Sequence, residues 1–148
     1  MNFVEFLEQH YGQRPQLSDR YGEGLGYEII AVDKDRLEVV SKLIVREDHL
    51  SPSGAVHGGV ISGFLDFSCG CAAISSLGVG EMCSTVELNV KYFKPLREGD
   101  EIRARSKVVH RGKTLCSAIS EVFCGELDSD PVALATGTFN IYRPKRKG

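Results

Sequence analysis

The period of the apolar positions shifts along the chain, and each shift predicts a new element. Phe3, Phe6, Leu7 and Tyr11 recur near helical spacing, so residues 2–11 read as a short amphipathic helix. A stretch bearing Gly, Pro and Ser continues to Gly26. Two alternating runs follow, Leu25–Val32 and Leu37–Val45, with the polar Asp33-Lys34-Asp35 between them, which is a hairpin pattern. Residues 46–56 carry Pro52 and Gly54 and predict a loop. From about residue 58 to 77, Ile61, Phe64, Leu65, Cys71, Ala72 and Ile74 suit a helix with contacts nearly all round. Gly78 and Gly80 would stop it. Four strand-like runs complete the chain, at residues 85–93, 101–110, 114–124 and 132–142. In the first, Val86, Leu88, Val90 and Tyr92 alternate with Glu87, Asn89 and Lys91.

This order predicts an α+β fold: an antiparallel sheet of about six strands around one long central helix, with the last four strands as a meander. The short N-terminal helix is too small to cover the sheet's other face. Strands and helices do not alternate, which argues against a doubly wound parallel sheet. No internal repeat is visible. Residues 1–148 are expected to form a single domain, with its core at about 25–142 and a basic, frayed tail at 143–148.

Composition narrows the class. The 148 residues are 42% hydrophobic and 26% charged, as in an ordinary globular domain. Such a chain is not disordered and can bury roughly 70% of its unfolded surface. Eighteen Lys and Arg stand against 20 Asp and Glu, a net charge of -2, which argues against a nucleic-acid partner. The five cysteines, Cys69, Cys71, Cys83, Cys116 and Cys124, are odd in number and lack zinc-type spacing. They predict reduced, mostly buried thiols in a cytoplasmic protein with no metal site. The N-terminus carries Glu5 and Glu8 and no basic region, so no signal peptide is expected. The window Val60–Val79 is apolar enough to suggest a membrane span. It contains Asp66 and four serines, which favours a buried helix and no membrane partner.

Asp66 is the chemically conspicuous residue. It is the one formal charge from His49 to Gly80, and no Lys or Arg occurs between Glu47 and Val90. A buried, unpaired carboxylate is costly. Two uses fit: a structural hydrogen bond to the backbone or to a strand Ser or Thr, or a base or nucleophile facing a cleft. The start of the same helix bears on the choice. At His57-Gly58-Gly59, glycines let backbone N–H groups approach a ligand, and the helix dipole favours negative charge. That suits an oxyanion site, although two glycines also suit a tight turn.

Several segments together resemble the hotdog-fold thioesterases of the PaaI (phenylacetic-acid-degradation) type. They are Ser51-Pro-Ser-Gly-Ala-Val-His-Gly-Gly-Val-Ile-Ser-Gly-Phe-Leu-Asp66, the run Ser84 to Asp100, Val108-Val-His-Arg-Gly-Lys-Thr114, and Ala135-Thr-Gly-Thr-Phe139. The resemblance implies a hotdog fold, a long helix wrapped by a curved antiparallel sheet, in homodimers often paired into homotetramers. It implies hydrolysis of acyl-CoA thioesters at the dimer interface, with CoA as part of the substrate and no separate cofactor. By position, Asp66 would be the general base or nucleophile, and the Gly58 N–H of the other subunit would be the oxyanion donor. His57 would support that loop, and Thr85 would hold the attacking water or the carboxylate.

Ser51 departs from the family pattern, in which Asn is common; its hydroxyl offers less reach than an amide. Two turns would meet CoA: Gly59, Lys94 and Arg97 with the first, His110, Arg111, Gly112, Lys113 and Thr114 with the second. Phe64, Phe67 and Phe93 would shape the acyl pocket. The alternatives are a non-catalytic acyl-CoA binder and, less favoured, a hotdog hydratase or dehydratase. The D-x-x-x-P-H and H-F-P patterns of the last are absent.

Overall fold

The computed structural model describes residues 1–12 and 18–145. Residues 13–17 of the Gly, Pro and Ser stretch and 146–148 of the basic tail lie outside the described residues. Helix α1 spans Phe3–Tyr11. A reciprocal capping box starts it: the Asn2 side chain accepts from the Glu5 N–H, and the Glu5 carboxylate accepts from the Asn2 N–H, each at 2.9 Å. Gly12 ends it with a left-handed φ of 72°.

Helix α2, Arg20–Leu25, stands where the sequence predicts a loop passing into a strand at Leu25. Its two glycines in six residues disfavour a helix. Fixed partners override that preference. Asp19 caps the Gly22 N–H at 3.0 Å, and Arg46 donates to the Gly24 carbonyl at 2.7 Å.

The strands are β1 Glu28–Asp33, β2 Glu38–Ile44, β3 Met82–Tyr92, β4 Glu101–Arg111, β5 Leu115–Cys124 and β6 Ala133–Tyr142. They form one antiparallel sheet in the order β1-β2-β4-β5-β6-β3. This corrects the expected four-strand meander. Strands β4, β5 and β6 do form one, but β3 crosses to the far edge and pairs with β6. The free side of β4 is already taken by β2, and Leu88 and Val90 of β3 align with Gly137 and Ala135 of β6.

Helix α3, Gly58–Ser75, packs on the inner face of this sheet. Its length and hydropathy would suit a membrane span, but its apolar side is buried against strands. Ile61, Phe64, Leu65, Cys69 and Ala72 make the contact, with Ile102, Ala104, Ala118 and Val122 beneath them. Small inward residues let the helix lie close: Ser41, Ser106 and Ser120 are fully buried, and Ser106 donates to Ser120 at 2.7 Å. A long helix held by a six-stranded antiparallel sheet is the expected hotdog fold. The helix is not covered all round, however. Gly63, Asp66, Phe67, Gly70 and Ile74 form a half-buried stripe toward α1 and β3, and this stripe opens the site.

Candidate active site

Asp66 sits in the middle of α3 and faces a cavity of about 590 Å³. The Thr85 hydroxyl on β3 donates to Asp66 Oδ1 at 2.8 Å. The hydrogen bond to a strand threonine and the cleft-facing position left open for Asp66 thus occur together. Carbon dominates the cleft walls. Phe3, Leu7 and Tyr11 come from α1, Phe67, Gly70 and Ile74 from α3, Met82 and Cys83 from β3, and Phe139 from β6. Polar side chains line the cleft too, Ser18, Asp19 and Tyr21 before β1 and Ser84 and Thr85 on β3.

A side chain at Gly63 would force two tyrosines to shift. A Cβ there would lie 2.5 Å from the Tyr21 hydroxyl and 2.8 Å from that of Tyr27. The Tyr27 hydroxyl donates to the Val60 carbonyl at 2.9 Å, and burial raises its pKa.

The helix start is wired so that one donor is spare. His57 Nδ1 accepts from the Gly59 N–H at 2.9 Å, and the His57 carbonyl accepts from Val60 N–H at 2.9 Å. The Gly58 carbonyl accepts from the Tyr92 hydroxyl at 3.0 Å. Among the described residues the Gly58 N–H has no acceptor. The Gly59 N–H is occupied by His57, so Gly58 is the donor this turn offers. The Ser51 hydroxyl lies in the loop before the helix, 2.8 Å from that of Ser53.

The charged candidates separate into two places. Lys94 and Arg97 follow β3 near the start of α3, where the Leu96 carbonyl accepts from Val56 N–H at 2.8 Å. Lys94 pairs loosely with Asp130 at 3.6 Å. The turn from His110 through Thr114 stands at the other end of α3, where Arg111 donates to the Ser76 carbonyl. An 18-residue helix is about 27 Å long, so one chain does not bring these turns together. Arg111 is committed inward, to Glu81 at 2.7 Å and to the Gly112 carbonyl. Lys113 is exposed and has no ion pair among the described residues.

Two aromatic expectations change. Phe64 is fully buried in the core against Tyr27 and takes no part in the cavity. Phe93, 52% exposed, borders a second cavity of about 400 Å³ with Gly58, Tyr92 and Lys94. Phe67 lines the Asp66 cavity as expected. The sequence reading missed the α1 wall and Tyr21. The apolar stripe of α1 was visible, but its destination was not.

All five cysteines are free; Cys69, Cys71 and Cys116 are buried and Cys124 is exposed. Burial pushes the Cys83 thiol, beside the cavity, up to about 11. Among the described residues no three His, Cys, Asp or Glu side chains cluster as a metal site would need.

A family model for the thioesterase superfamily matches residues 53–129, over half of the chain. The chain belongs to the thioesterase superfamily. A phenylacetic acid degradation-related protein of Ralstonia eutropha has a similar structure, with a TM-score of 0.78 at 29% identity over 91% of this chain and 98% of that one. The phenylacetic acid degradation protein PaaI of Thermus thermophilus, as its N33D mutant, gives a TM-score of 0.73 at 27% identity, covering 82% and 98%. Mouse acyl-coenzyme A thioesterase 13 is 28% identical over 81 residues, 55% of this chain and 57% of that protein. The chain spans about three fifths of several curated relatives it matches, 62% of an Archaeoglobus fulgidus protein and 57% of the mouse one.

Proposed function

We propose that this protein is an acyl-CoA thioesterase acting as a homodimer. The observation that carries the reading is Asp66: a carboxylate anchored by Thr85 at 2.8 Å that faces an apolar cavity. Asp66 takes a proton from water, and the water oxygen attacks the thioester carbonyl carbon. The carbonyl oxygen becomes an oxyanion and accepts from a backbone N–H. The C–S bond then breaks, and the CoA sulfur leaves with the proton that Asp66 held. Loss of one oxyanion donor costs about 2.7–4 kcal/mol in a comparable site, so the donor matters as much as the base.

That donor comes from a second copy of the chain. Gly58 and Asp66 of one helix are eight residues apart, about 12 Å, too far to meet at one carbonyl. The free edge of β3 supplies the remedy. This edge strand of 11 residues is mostly exposed, and Val86 is 60% so. Long unpaired edges invite pairing with another chain. An antiparallel two-fold centred between Leu88 and Asn89 sets Thr85, the partner of Asp66, opposite Tyr92 of the other strand, which holds Gly58. Each dimer then carries two sites, and two dimers form the tetramer.

The basic turns meet CoA phosphates, Lys94 and Arg97 at one end and Lys113 at the other, with His110, Gly112 and Thr114 shaping the second turn. Arg111 holds that turn in place through Glu81. Lys113→Ala is expected to raise KM for acyl-CoA by about 1.4- to fivefold with kcat unchanged, because an exposed charge contributes roughly 0.2–1 kcal/mol. Steady-state kinetics at low salt check this, and an unchanged KM returns Lys113 to a solvated turn.

The test of the whole reading is CoA release from a panel of acyl-CoAs, followed by chromatography, with sedimentation equilibrium on the same sample. Release by a dimer or tetramer supports it. Thermal stabilisation by acyl-CoA without release would favour a binding protein instead.

A further inference from the structure

The Asp66 cavity has a direction. Asp66, Gly70 and Ile74 lie on successive turns of α3, while Phe3, Leu7 and Tyr11 lie on successive turns of α1. The two helices run the same way along the cavity. Phe3 packs against Phe67 at the carboxylate end, the rings tilted with centroids 5.9 Å apart. Tyr11 reaches the other end, where its hydroxyl donates to the Glu81 carbonyl at 2.9 Å. Strand β3 closes a third side from Thr85 down to Met82. Tyr11, Ile74 and Met82 therefore stop a slot that starts at the carboxylate. Eight residues of helix make the slot about 12 Å long.

We propose, resting on the thioesterase reading above, that this slot measures the acyl chain. It takes apolar acyl groups, and Gly70 keeps it open at mid-length. An extended chain advances about 1.2 Å per bond, so the slot holds roughly eight to ten carbons beyond the thioester. The walls beyond Gly70 are Leu7, Tyr11, Ile74, Met82 and Phe139. Among the described residues they offer no cation for a terminal carboxylate.

Gly70 is the position where a side chain would intrude without disturbing the packing. A Cβ there meets only Phe139, at an ordinary 3.7 Å. At Gly63, by contrast, a Cβ collides with two phenols. Alanine is also favoured over glycine in a helix interior, so substitution at Gly70 does not work against the fold. A leucine at this position would end the slot about one helical turn from Asp66. Each buried methylene is worth about fourfold in kcat/KM, so losing four of them costs on the order of 10²-fold.

The experiment compares kcat/KM for butyryl-, octanoyl-, decanoyl- and myristoyl-CoA in the wild type, Gly70→Leu and Gly70→Ala. The wild type is expected to rise with length to octanoyl or decanoyl and fall at myristoyl. In Gly70→Leu the decanoyl-to-butyryl ratio is expected to drop on the order of 10²-fold, with a smaller drop in the same direction for Gly70→Ala. Tyr11→Ala, which opens the far end, should move the optimum to myristoyl. An unchanged ratio in both Gly70 variants overturns the ruler while leaving the thioesterase reading standing. No CoA release by the wild type from any ester overturns the thioesterase reading and the ruler with it. If Gly70→Leu fails to fold by circular dichroism, the Gly70→Ala ratio decides alone.

Discussion

Asp66→Asn is expected to keep the fold and the assembly while lowering kcat for acyl-CoA hydrolysis on the order of 10²–10⁴-fold, the range for loss of a positioned base. The shape barely changes, and an amide oxygen still accepts from the Thr85 hydroxyl, which donates to Asp66 at 2.8 Å. What disappears is the ability to take a proton from water. The substitution also removes a charge from a cavity wall that carries no Lys or Arg among the described residues. Stability should therefore hold or rise. The measurement pairs CoA release with far-ultraviolet circular dichroism and sedimentation. A folded variant that turns over at the wild-type rate would remove Asp66 from the mechanism.

Phe64→Ala should produce the largest loss of stability, about 3–5 kcal/mol, as is usual when a buried phenylalanine is cut to alanine. Phe64 is fully buried, with Tyr27 packed on it at a centroid separation of 5.4 Å. Leu96, Ile102, Val122 and Val132 belong to the same cluster. The cavity left behind would sit where α3 meets the sheet, so neither element can close it by a local shift. Native domains are stable by only about 5–15 kcal/mol, so the variant would be marginal. Urea unfolding should show a lower midpoint with an unchanged slope, compared at one protein concentration because assembly adds to apparent stability. A midpoint within 0.5 M of wild type, with the slope retained, would contradict the prediction (about 1 kcal/mol at the usual slope).

These two residues differ in how readable they were. The long apolar run made α3 legible, and a lone charge within it singled out Asp66. His57-Gly58-Gly59 likewise declared itself as a helix start. Thr85 was legible only through family resemblance, because nothing in its own strand distinguishes it. The neighbour of β3 was not legible. Alternation tells which side of a strand is apolar but says nothing about which strand lies beside it, and here β2 had already taken the free side of β4. Helix α2 was illegible for another reason: its glycines argue against a helix, and the groups that hold it, Asp19 and Arg46, lie outside it. Phe64 and Phe67 look equivalent in sequence. Three positions apart on one helix, they differ by enough rotation that one enters the core and the other the cavity.

The thiol beside the slot bears on chemical selectivity. In the proposed reaction an activated acyl group rests near Cys83, and a free thiol is the product. A thiolate at Cys83 would intercept the acyl group and strand the protein as its own acyl ester. Under oxidation it would also trap released CoA as a mixed disulfide. Only the thiolate does either. With its pKa pushed up to about 11, Cys83 stays protonated at neutral pH. Burial of one sulfur would thus cut the thiolate at the proposed site about a hundredfold, sparing both the thioester consumed and the thiol released.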